Sequence, residues 1–192
     1  MVNHFHREGF FFMPCPFDDQ SMDRIRRLAN ESEERFLNTD WSGQSALTCW
    51  FFMLGDTTLE LAEDPRLVSL AARLLSVNQV HVGTCGLGDG THPMFGDGRQ
   101  HREEKGLFWH ADGSPEVKQV SIRIAIDRHG TEEGGLRILP GSHLVPTVQV
   151  REELVQYELA SGNHTEVPKN CHFIHPREIP IVMDPRWTLV WS

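Results

Sequence analysis

The residues with the clearest chemical potential are His110 and Asp112, set in Trp109-His110-Ala111-Asp112-Gly113. Two residues apart on an extended segment, they point the same way, because side chains of a strand repeat every second residue. An imidazole nitrogen and a carboxylate oxygen on one face can occupy two sites on a divalent metal. They are two of the three ligand types of the 2-His-1-carboxylate triad that holds ferrous iron with coordination positions left open. Spacing alone does not single them out. His6-Arg7-Glu8, His101-Arg102-Glu103 and His164-Thr165-Glu166 share it, but they sit among charges and read as solvated surface. His110 and Asp112 instead follow Phe108 and Trp109, which suit a strand end in a core, and precede Gly113, which suits a turn.

The elements that position this pair are readable along the chain. Asp18 or Asp19 caps a helix to about Phe36, with Met22, Ile25, Leu28 and Ala29 on one face. Thr48–Met53 reads as a buried strand, and Asp64-Pro65 starts a helix with an apolar stripe of Leu67, Leu70, Ala71, Leu74 and Leu75. Val80 and Val82 alternate in a strand near Gln79–Cys85. In Lys118–Asp127, Val120, Ile122, Ile124 and Ile126 alternate with Gln119, Ser121, Arg123 and Ala125, the pattern of a half-buried strand. Gly134–Ser142 supplies a short strand and a turn. Ile179–Met183 and Trp187–Trp191 read as two strands across Asp184-Pro185-Arg186, while Val145–Ala160 allows a helix.

Trp109–Gly113, the strand near Lys118–Asp127 and then Gly134-Gly135-Leu136-Arg137-Ile138-Leu139-Pro140-Gly141-Ser142-His143 resemble the phytanoyl-CoA dioxygenase family of Fe(II)/2-oxoglutarate oxygenases. Glu8-Gly9-Phe10-Phe11-Phe12-Met13-Pro14 resembles that family's opening strand. The resemblance runs in order from about Gly9 to Ser192 and is specific across Phe108–His143. It implies an α+β protein, a double-stranded β-helix (jelly-roll) core with N-terminal helices packed on one sheet. It also implies iron on His110 and Asp112, 2-oxoglutarate as co-substrate and O2 as oxidant. In the family, His143 of the Pro-Gly-Ser-His turn is structural or substrate-side rather than a ligand.

The same resemblance places a second metal-binding His, and an Arg for the distal carboxylate of 2-oxoglutarate, beyond Trp191. The 192-residue domain is therefore expected to be C-terminally short relative to the family, with an incomplete site and poor oxygenase activity. A bidentate Arg–carboxylate pair is a strong and geometrically specific contact, so its loss bears on the co-substrate as well as the iron. The histidines closest in sequence to the missing position are His172 and His175. Arg123 is a carboxylate partner if the polar face of its strand looks into the barrel, and Gln100 is placed to hydrogen-bond the keto-acid.

Composition bounds the rest. A chain of 192 residues is one domain with room for a core. A net charge of −9 with acids spread along the chain argues against nucleic acid or an anionic membrane as partner. The longest apolar run, Phe10–Met13, is too short for a span or a signal segment, so a cytoplasmic protein is expected, and the family resemblance implies a small-molecule substrate. Cys15, Cys49, Cys85 and Cys171 are scattered and read as free thiols. Three readings stay open: the oxygenase, a non-catalytic jelly-roll binding or scaffold protein, and a metal-dependent enzyme without 2-oxoglutarate. Neither the substrate nor the oligomeric state is encoded in any pattern of the sequence.

Overall fold

In the computed structural model of the chain, residues 1–37, 56–83, 112, 117–130, 136–161 and 175–192 are described. Helix α1 (Val2–Glu8) leads into strand β1 (Phe10–Pro14), followed by α2 (Asp19–Leu37), α3 (Asp56–Ala62) and α4 (Pro65–Leu75). Strands β2 (Ser121–Ile124) and β3 (Arg137–Ile138) come next. A 3-10 turn at Ser142–Leu144, helix α5 (Thr147–Ser161), β4 (Ile179–Pro180) and β5 (Trp187–Trp191) complete the described order.

The described strands form two antiparallel sheets. One has the order β1-β5-β2, the other pairs β3 with β4. The described protein is thus a mixed helix and strand fold with antiparallel sheets, and its described strands do not close into a double-stranded β-helix. The segment Ile179–Trp191 does not form the hairpin that its turn suggests. Its first half pairs with β3, and Met183 bridges to His129. Past Arg186, which takes a left-handed φ of 69°, its second half joins the other sheet. A strand that changes sheets at a corner links the two layers covalently.

The helices form where capping and packing agree. The Asp18 carboxylate accepts from the Ser21 amide at 2.8 Å, and the Asp64 carboxylate accepts from the Arg66 amide at 2.9 Å. Each satisfies an orphan donor of a first helical turn. Of the predicted faces, Met22 and Ile25 of α2 and Leu74 of α4 are buried, and Leu28, Ala29, Leu67, Leu70, Ala71 and Leu75 are half-buried. Helix α1 has no counterpart in the sequence reading. Seven residues are too few to hold a helix in water, and it is held by Phe5 against Phe11 and Leu74. The predicted strand at Gln79–Cys85 is a correction: residues 79–83 have no regular structure, and Val82 is exposed. Alternation there has no hydrogen-bonding partner among the described residues. The expected strand Thr48–Met53 lies outside them.

Register decides which face each residue of the larger sheet presents. Phe11, Val190 and Ile122 form one row across the strands, while Phe10, Trp191 and Ser121 form the next. The first row packs on α1 and α4 through Phe5, Leu70 and Leu74. Farther along the same face, Ile124 and Ile126 meet Phe17, Met22 and Ile25. The opposite face carries Phe10, Leu189 and Trp191 against Leu136, Ile138, Ile181 and Met183 of the second layer. Fully burying a side chain such as Leu189 or Ile181 stabilises the fold by about 1.5–3 kcal/mol.

The Pro140–His143 turn has a structural task at the junction of α1 and β1. The Gly141 amide donates to the Glu8 carbonyl at 2.9 Å, and His143 Nε2 lies 3.1 Å from the His6 carbonyl. Both contacts satisfy carbonyls at the end of α1. Gly9 adopts a φ of +85°, and a Cβ there would stand 2.5 Å from His143 Nδ1. Glycine is required twice over, by the left-handed cap and by the ring against it.

Candidate functional site

Asp112 lies beside the inner face of the larger sheet, at the end where β2 and β5 pair. Its Oδ2 accepts the Trp191 indole Nε1–H at 2.7 Å and the Ser121 hydroxyl at 3.0 Å. The two donors are register partners on adjacent strands, so sheet pairing sets the distance between them. Gln119 Nε2 donates to the Ser121 oxygen at 3.4 Å, which leaves the hydroxyl proton directed to the carboxylate. Hydrogen bonds to an ionised carboxylate are short and roughly twice as strong as neutral ones.

Arg123 is two residues along β2 from Ser121 and therefore on the same face. It stands opposite Leu189 and is only partly accessible. Burial pulls its guanidinium below the usual arginine range. It stays cationic all the same. A desolvated cation on an inward face invites an anion. The parity read from sequence, polar residues on one side of this strand, holds; the polar side looks toward Asp112 and the second layer rather than to solvent.

His175 is placed elsewhere, in the turn before β4. Its Nδ1 accepts the Arg177 amide at 3.1 Å and its Nε2 lies 3.6 Å from Glu153 Oε1 of α5. The Tyr157 ring packs on it at a centroid distance of 5.3 Å. Glu178 accepts the His175 amide at 3.0 Å and pairs with Arg137 of β3. Burial, then the Arg177 charge, lowers the His175 pKa against the pull of Glu153 and Glu178. With Nδ1 accepting and Nε2 facing a carboxylate, the ring is committed to tying α5 to the β3–β4 layer, and it offers no lone pair to a cation in this arrangement.

His110, Gln100 and His172 lie outside the described residues. Among the described residues no three His, Cys, Asp or Glu side chains group closely enough to hold a metal. Of the residues named from sequence, Asp112 and Arg123 share one side of the sheet, while His175 lies in the turn before β4. Trp191 and Ser121 were not singled out. Ser121 shares the strand parity of Arg123, which was a usable signal. For Trp191 there was none, because its place beside Asp112 depends on which strands pair.

The comparisons with known proteins identify the class. The phytanoyl-CoA dioxygenase (PhyH) model matches residues 5–172, and the chain belongs to that family. It is 26% identical over 151 residues to an ectoine dioxygenase of Streptomyces avermitilis, covering 74% of this chain and 50% of that protein. To an ectoine dioxygenase of Streptomyces coelicolor it is 31% identical over 91 residues, covering 47% of this chain and 29% of that one. The chain thus spans half or less of the length of these relatives. Among solved structures, AviO1 from Streptomyces viridochromogenes Tue57 superposes with a TM-score of 0.56 at 18% identity, over 99% of this chain and 81% of that one. EvdMO1 superposes with a TM-score of 0.58 at 20% identity, over 99% and 42%. At those identities the likeness shows a shared fold. No described helix is long and apolar enough to cross a membrane.

Proposed function

We propose that the chain is the jelly-roll domain, over residues 1–192, of a non-haem Fe(II)- and 2-oxoglutarate-dependent dioxygenase that hydroxylates a small organic substrate. The carrying observation is the carboxylate of Asp112, held by Trp191 and Ser121 on the face that also bears desolvated Arg123. Family membership supplies the context, and the ectoine dioxygenases are relatives of the same chemical class.

In this reading His110 and Asp112 hold the metal. A carboxylate oriented by outer hydrogen bonds is the arrangement that ligating carboxylates adopt, so Asp112 fits that role. When bound, iron and 2-oxoglutarate supply the oxidising chemistry: the keto-acid goes to succinate and CO2, and one atom of O2 enters a substrate C–H bond. The protein's part is binding and orientation. Arg123 pairs with a carboxylate of 2-oxoglutarate, Gln100 hydrogen-bonds the keto-acid, and the apolar wall of Phe10, Leu189 and Trp191 limits water. The family pattern puts the third ligand beyond Trp191; of the two substitutes within the chain, His175 is engaged by Arg177 and Glu153, which leaves His172 as the candidate.

The test is anaerobic calorimetry with Mn(II) as a redox-stable stand-in for Fe(II), followed by 2-oxoglutarate titrated into the metal-loaded protein. The expected outcome is that Asp112→Ala abolishes Mn(II) binding, because it removes the anionic ligand. Equal Mn(II) affinity in both proteins overturns the proposal.

A further inference from the structure

Resting on the reading of Asp112 as a metal ligand, we infer that Trp191 and Ser121 are positioning residues that set the plane of its carboxylate. Both donors bind Oδ2, at 2.7 and 3.0 Å. Two fixed donors on one oxygen remove rotation about the last side-chain bond, and with it the freedom of Oδ1 to turn its lone pairs away from a cation. An indole N–H can only donate, so the Trp191 contact cannot reverse its sense as a water or a hydroxyl can.

The donors are themselves held. Ser121 and Trp191 are paired across β2 and β5, and Trp191 packs on the cluster of Phe10, Leu189, Ile181 and Met183. The next residue, Ser192, donates its amide to the Gly9 carbonyl at 2.9 Å, which ties the end of β5 to the cap of α1. Asp112 itself lies in a bend. The end of a paired sheet therefore orients a carboxylate that lies outside its strands. Outer-shell partners of this kind typically change metal affinity by about 10–100-fold when removed.

The experiment compares the wild-type chain with Trp191→Phe, Ser121→Ala, Ser121→Thr and Asp112→Ala. Three measurements are made: Mn(II) affinity by calorimetry, thermal midpoint, and the indole N–H resonance of Trp191 in a 15N-labelled sample. The resonance is expected to move upfield in Asp112→Ala, whether or not metal is present. Trp191→Phe is expected to weaken Mn(II) binding by about 10–100-fold, Ser121→Ala by less, and Ser121→Thr, which keeps the hydroxyl, to restore it. If Trp191→Phe does not fold, the Ser121 pair carries the test alone. Wild-type Mn(II) affinity in folded Trp191→Phe and in Ser121→Ala, with binding lost in Asp112→Ala, overturns the positioning role and leaves the ligand standing. Wild-type affinity in Asp112→Ala ends both. A lowered thermal midpoint with unchanged Mn(II) affinity marks the contacts as structural only and rejects the inference.

Discussion

The two faces of the β1-β5-β2 sheet are woven from the same three strands and differ in what they exclude. On the helix side, Phe11, Val190 and Ile122 meet Phe5, Leu70 and Leu74 in an apolar cluster, with buried Thr188 farther along the same face. On the inner side, the adjacent row ends in Ser121 and Trp191, which spend their polar atoms on Asp112, and the row beyond adds Arg123 beside Leu189. One face gains stability from area removed from water; the other gives up part of that gain to keep a carboxylate and a guanidinium within the fold. A charge taken out of water is costly unless it is paired. Among the described residues such charges lie on the inner face, which is the face the proposed function uses.

The sharpest way to break this contrast is to damage the helix side. Leu74→Ala removes a fully enclosed side chain of α4 and is expected to cost about 2–5 kcal/mol of stability. Urea unfolding should show the midpoint fall with the slope unchanged, while Mn(II) affinity of the folded protein stays at the wild-type value. Loss of both together would mean that the faces are not separable.

The inner face should answer in the opposite way. Arg123→Met keeps length and apolar bulk but removes the cation. Affinity of the Mn(II)-loaded protein for 2-oxoglutarate is expected to fall by roughly 10–150-fold, the equivalent of one charged hydrogen-bonded contact of about 1.5–3 kcal/mol. Stability should hold or rise, because a desolvated charge has gone. Unchanged 2-oxoglutarate affinity by calorimetry would remove Arg123 from the co-substrate site.

The smallest effect concerns His175, which belongs to neither face. Burial lowers its folded pKa, so the unfolded chain binds the proton more readily than the native one. Its contribution to stability is complete above the unfolded value, about 6.5, and declines as pH falls from there through the folded value. His175→Asn should flatten the pH dependence of the thermal midpoint below pH 6.5 without changing Mn(II) binding at pH 7. A midpoint profile identical to wild type would show that the ring does not titrate with unfolding.

Much of this architecture follows from local pattern. The caps at Asp18 and Asp64 and the apolar stripes of α2 and α4 depend only on neighbours in sequence, and each is where periodicity puts it; the alternating strand read over Lys118–Asp127 forms only at Ser121–Ile124, half-buried on both sides. The pairing of Ser121 with Arg123 on one side of β2 follows from the same alternation. At residues 79–83 alternation produced no strand; where a short segment found a hydrophobic seat, at Val2–Glu8, a helix formed that local signals do not announce.

The amino-acid sequence by itself determined the family, through Trp109–Gly113 and Gly134–His143, and which residues of β2 would share a side. Only the tertiary structure decided that the shared side faces inward, that β5 lies between β1 and β2 rather than beside β4, and that the Trp191 indole reaches Asp112. The reason is physical. Alternation and capping are set within a few residues of one another, whereas register and strand order are set by contacts between segments distant along the chain, and Trp191 meets Asp112 across 79 positions.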